Sequence, residues 1–266
     1  MALPLIVPLT SLAFGTFNFG NNVFNLLTTQ TDTLGALENQ MTQLLSDLTT
    51  AKAQLADLAI DQSLSAHVDR ILGYVSGYKN TVVPTVVAKK GAAVWSDEDA
   101  LAKLTQIFDT SNLIKEWCNA VHDAGSGVSS ILLGIHNQMM GSEVHGRAAI
   151  DAAFDRALFT VYGVDSLTKL FDLPLARRTS NAPAFVERMN SFMAYVMNIE
   201  RTGLGCLMNA DLLDPEFRNL EQVIREQKRD LLSNIYAQFA KAQRVTSTIG
   251  LVDAKIVHEV QADCSV

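Results

Sequence analysis

Five histidines, three cysteines and 28 carboxylates are the side chains of this 266-residue chain from which a metal centre or an acid–base pair could be built. Their spacing builds neither. Metal sites on helical bundles use Glu-x-x-His pairs facing the core, and the chain contains none. The nearest cluster is His136, Glu143 and His145, which Gly141 interrupts, so ligation would depend on a loop. His67, His122 and His258 have no partner at ligand spacing. Cys118 and Cys206 fall on apolar helical patterns and read as small buried hydrophobes, whereas Cys264 lies in a polar tail. An odd, widely spaced set is not a disulfide framework.

Nucleophile and phosphate motifs are missing as well. Gly125-Ser-Gly lies in a helical pattern rather than at a strand-to-helix elbow, and no phosphate-binding glycine loop is found. The sequence therefore predicts no catalytic residue, no metal and no cofactor.

The elements that would have to position any site are helical. At 48% hydrophobic and 18% charged, with only 15 Gly and 6 Pro, the chain is too apolar for disorder and too poor in turn residues for an all-β fold. Between Thr31 and Tyr78, the seam Leu34, Leu37, Met41, Leu44, Leu48, Ala51, Leu55 and Leu58 alternates steps of three and four. Past Leu58 the apolar face shifts through Ile60, Leu64, Val68, Ile71, Leu72 and Val75, which predicts a stutter near residue 60. One helix over 31–78 would be about 70 Å long at 1.5 Å per residue. The expected fold is all-α, an elongated bundle of long antiparallel helices with coiled-coil-like packing, folded as one domain over 1–266.

Punctuation divides the rest. The run from Asn80 to Ala88 is rich in β-branched residues and holds Pro84, predicting an extended connection or a small hairpin near 80–95. Ser96 before Asp97-Glu-Asp99, the Asp109-Thr-Ser-Asn112 stretch, and Asp214-Pro215-Glu216 are helix starts. The second opens a long helix to about Met140. Further helices are read from Arg147 to Gly163 and from Ser166 to Phe171, the latter stopped by Pro174. Residues 176–183 read as an exposed loop and the best internal break, followed by a helix to about Met208 and another from Asp214 to Arg244.

Two stretches lack charge. Residues 1–31 precede the first charged residue, Asp32, and carry Leu12, Phe14, Phe17, Phe19, Val23, Phe24, Leu26 and Leu27 among Asn and Thr. Such a segment can cap the bundle or enter a bilayer without burying a charge. The second runs from Ala124 to Ser142 and is rich in Gly and Ser, which lets neighbouring helices approach closely. No run of 18 wholly apolar residues occurs, and the start lacks the basic region of a signal peptide. A soluble chain, cytoplasmic or released without a cleaved signal, is expected.

Net charge is −7, with 12 Asp/Glu and 7 Lys/Arg in residues 1–133 against 16 and 14 in the remainder. This balance argues against nucleic acid as a partner. In architecture the chain resembles α-helical pore-forming toxins: long heptad helices, an uncharged N-terminal segment, a small-residue helix and a β-branched insertion near a bundle end. That resemblance implies a bundle that converts at a lipid membrane and assembles with further copies. A scaffold or signalling bundle binding partner helices is the alternative, and a helical enzyme without a recognisable motif the third.

Overall fold

The computed structural model describes residues 62–245 except 92–94, 145, 219, 221–225, 227–228 and 243. The uncharged segment with Leu12, Phe14, Phe17, Phe19, Val23, Phe24, Leu26 and Leu27 lies outside the described residues. So do the seam residues Leu34, Leu37, Met41, Leu44, Leu48, Leu55 and Leu58, the stutter near residue 60, and Cys264.

The described chain is all-α. In order come α1 (Gln62–Gly77), a π-helical turn (Tyr78–Val82), α2 (Val83–Lys90), α3 (Asp97–Thr110), α4 (Asn112–His122), α5 (Val128–Met140), α6 (Ala149–Tyr162), α7 (Leu167–Phe171), α8 (Leu175–Leu213) and α9 (Pro215–Arg218). Residues 229–242 form a further helix, α10. No strand occurs among the described residues, apart from an isolated bridge between Ser142 and Gly146.

The capping signals act as the sequence predicts. Ser96 and Ser111 accept hydrogen bonds from the Asp99 and Ile114 amides, and Asp214 Oδ1 accepts from Glu216 N at 2.9 Å. α6 ends at Gly163, whose φ of 74° is a left-handed C-terminal stop.

Three departures have local causes. First, no hairpin or extended connection forms from residue 80 to Lys90, because the π turn carries the helix into α2. Val83 N donates to Tyr78 O across five residues. The widened turn just before Pro84 relieves the clash that its ring would make with a regular preceding turn. β-Branched propensity yields here to packing of Tyr78, Val82 and Val86 in the core.

Second, the long helix read up to Met140 is two helices. Asp123 Oδ1 accepts from Gly125 N, Ser126 N and Ser126 Oγ, closing a turn that ends α4. The Ser126 hydrogen bonds hold its carboxyl below the usual carboxylate range. A Cβ on Gly127 would lie 2.4 Å from the carbonyl oxygens of Val121 and Asp123, so only glycine fits the return.

Third, 176–183 is no loop: α8 runs through it with Pro183 inside. Proline removes one helix hydrogen bond, but the two turns of α8 that precede it are docked on the end of α6. Arg177 Nη2 and Asn181 Nδ2 donate to the Tyr162 and Val161 carbonyls at 3.0 and 3.2 Å, and Tyr162 Oη donates to Arg178 O. Those contacts satisfy carbonyls that the end of α6 leaves open.

α8 is the central helix, packed against α1, α3, α4, α5 and α6. From Phe192 to Leu207 its described residues are buried nearly all round, as a surrounded helix must be. The small-residue helix α5 packs between α1 and α8 through glycines. Gly134 lies under the His67 ring, and Gly203 of α8 receives Leu132 of α5 and Ile71 of α1.

Candidate functional site

The interface of α5, α8 and α10 carries the most unusual polar group in the core. Glu200 of α8 is 1% exposed, and its Oε1 accepts from Gln238 Nε2 of α10 at 2.6 Å. Gln238, also 1% exposed, brings the same amide nitrogen to 3.3 Å from His136 Nδ1 of α5. His136 makes a second contact with α10, a hydrogen bond to the Asn234 backbone one turn before Gln238. Glu200 Oε2 and Gln238 Oε1 are buried without hydrogen-bond partners.

Electrostatics follow from this geometry. Burial pushes the Glu200 carboxyl up to about 8, and the Gln238 hydrogen bond offsets only part of that rise. Burial also lowers the His136 pKa, partly opposed by the Asn234 bond. At neutral pH the centre is therefore mostly a neutral carboxylic acid, a neutral amide and a neutral imidazole. An ionised Glu200 would be a buried charge beside an uncharged partner.

α10 is otherwise held by a narrow apolar face and one basic residue. Leu231, Ile235, Phe239 and Ala242 are its buried apolar residues. Lys241 Nζ donates to Met140 O at 2.9 Å and pairs with Asp151 at 3.2 Å. Together these contacts fasten α10 to the end of α5 and the start of α6.

A second polar cluster closes the C-terminal end of α4. His122 Nε2 meets Asp211 Oδ1 of α8 at 2.8 Å, and the imidazole stacks on Phe217 of α9 with ring centroids 3.5 Å apart. Cys118, one turn earlier on α4, is fully buried. Its thiol is pushed far up by burial and by Asp214 and Asp211, which leaves it a poor nucleophile. Cys206 is likewise raised, to about 12, by burial. Both cysteines act as core hydrophobes.

Of the His136, Glu143 and His145 cluster of the sequence, the structure describes the first two and does not pair them. Gly141, with φ of 71°, turns the chain away, Glu143 is exposed and His136 faces α10. Residue 145 lies outside the described residues. Among the described residues, no group of three His, Cys, Asp or Glu side chains is placed to hold a metal ion. Glu200 and Gln238 escaped the sequence reading because they lie 38 residues apart on different helices. The sequence offers little signal, because Glu200 stands between Asn198 and Thr202 with Arg201 directly after it, in a run that also holds Val196, Met197 and Ile199.

No protein-family model, no curated protein and no solved structure matches this chain.

Proposed function

We propose that this chain is a helical bundle that engages a lipid membrane and assembles with further copies of itself, in the manner of α-helical pore-forming proteins. The observation that carries this reading is the absence of any charged side chain before Asp32. Among the described residues no helix is long and apolar enough to cross a membrane. The reading therefore gives the bilayer contact to residues 1–31, through Leu12, Phe14, Phe17, Phe19, Val23, Phe24, Leu26 and Leu27, and makes the bundle their carrier. Two features of the bundle support a role in conversion: α5 is packed through glycine contacts, and a neutralised carboxyl lies at its junction with α8 and α10. Glycine costs helix stability, roughly 1 kcal/mol relative to Ala, a cost suited to a helix that must rearrange.

The test is dye release and co-sedimentation with liposomes of several compositions across pH. Wild-type protein should bind and leak them, while deletion of 1–31, or Phe17→Asp or Phe24→Asp, should abolish leakage. A carboxylate near the bilayer centre costs about 2.5–3.5 kcal/mol. A wild-type protein that releases no dye under any condition, yet forms a stable complex with another helical protein, would turn the reading to a scaffold.

A further inference from the structure

The polar contact between α10 and the central helix has a chemistry that packing alone does not require. A helix can be docked by its apolar face, yet this one places an amide opposite a carboxyl that has no ion-pair partner among the described side chains. The groups that meet at this contact come from α8, α10 and α5. Gln238 of α10 meets Glu200 directly, and His136 of α5 meets the same amide from the far side. From α1, His67 lies over Gly134, two residues before His136 on α5. The nearest pairing of full charges on α10 is Lys241 with Asp151, one turn beyond Gln238.

We propose that the Glu200–Gln238–His136 contact is a proton-operated latch: the protonated carboxyl keeps α10 docked on α5 and α8, and its ionisation releases α10. The physical reason is solvation. A neutral acid tolerates a dry site with one amide partner, whereas a carboxylate needs water or a cation, and neither reaches it while Gln238 covers it. Moving α10 aside exposes the carboxylate to water, and the proton passes to solvent. The Lys241 contacts do not change with this ionisation. They tether the C-terminal part of α10, so the part carrying Gln238 and Asn234 opens first.

This latch deepens the proposed function by giving conversion a trigger, but its test needs no lipid. Amide hydrogen exchange is followed across 229–242, α5 and α8 in the full chain from pH 5 to 10, in wild type and in Glu200→Gln. Comparing the two proteins at each pH removes the chemical pH dependence of exchange. In wild type, protection of 229–242 should fall as pH rises through about 8, by up to tenfold per further unit, while α5 and α8 stay protected. Glu200→Gln, which mimics the protonated acid, should hold its protection throughout.

Equal behaviour of the two proteins would overturn the latch, as would loss of protection in α8 in step with 229–242. Should Glu200→Gln not fold, Gln238→Leu decides the matter. Removing the donor that favours the carboxylate must move the midpoint to higher pH, and an unmoved midpoint overturns the proposal. Protein that passes this test but leaks no liposome would keep the latch and lose the membrane reading.

Discussion

His122 and Asp211 meet at 2.8 Å beneath the Phe217 ring, joining α4 to the end of α8 at a site where both side chains are nearly excluded from solvent. The contact closes the bundle end, because Asp214, three residues after Asp211, caps α9 and brings Phe217 onto the imidazole. Removing either partner strands a buried polar group. Asp211→Ala or His122→Ala should each lower the unfolding free energy by about 3 kcal/mol. The double variant should cost clearly less than the sum, measured by urea denaturation at fixed pH.

Two glycines should respond oppositely to a methyl group once a neighbour is removed. In Gly127→Ala the new Cβ meets backbone oxygens at 2.4 Å, which cannot rotate away. The loss should reach the upper part of the usual range, about 2–3 kcal/mol. In Gly134→Ala the obstacle is the His67 ring at 2.7 Å. That variant should be destabilised in the wild-type background, but should gain up to about 1 kcal/mol of helix propensity in a His67→Ala background. Thermal denaturation of the four-protein cycle checks the sign.

The buried Glu200 makes stability depend on pH in a fixed direction. Its carboxyl titrates higher when folded than when unfolded, so the folded state holds the proton more tightly. The contribution is complete below the unfolded carboxylate pKa and drains away as pH rises toward about 8. Unfolding free energies from urea denaturation should fall across that window with a slope approaching about 1.4 kcal/mol per pH unit from this group. Glu200→Gln should flatten the slope, and an unchanged slope would reassign it to other groups.

The long N-terminal seam can be tested by the same denaturation experiment. Leu44→Asp or Leu48→Asp places a charge in the heptad face and should cost several kcal/mol if that face is packed. Melting like the parent would mean an exposed face, available to partner helices.

The readable part of this fold is its punctuation. Ser96, Ser111, Asp214 with Pro215, and Gly163 act within a few residues of themselves, and each sits at the helix end that its chemistry indicates. The same holds for the apolar face Leu64, Val68, Ile71 and Val75, buried as its spacing predicts. Pro84 and Pro183 misled because both lie within helical runs supported by distant partners: core packing for the first, the end of α6 for the second. Gly127 and Asp123 broke a helix that continuous apolar spacing had promised, through side-chain hydrogen bonds to the backbone. The site was least legible. His136 stands out in the sequence for its neighbours Glu143 and His145, whereas its partner in the structure, Gln238, is 102 residues away.

The π turn at Tyr78–Val82 bears on how this chain tolerates changes of length. Buried residues along α1 step by four, three, four and three from Leu64 to Tyr78, then by four and four through Val82 and Val86. A π turn is geometrically one extra residue looped into a regular helix. The chain thus carries an insertion whose phase error is absorbed locally, so that Val82 and Val86 still point inward. Deleting one residue within 78–82 would restore regular winding and keep the phase of α2, yet it would drive Pro84 into its preceding turn. Length and proline are coupled here: a variant lacking one of these residues should be viable only if Pro84 is replaced as well.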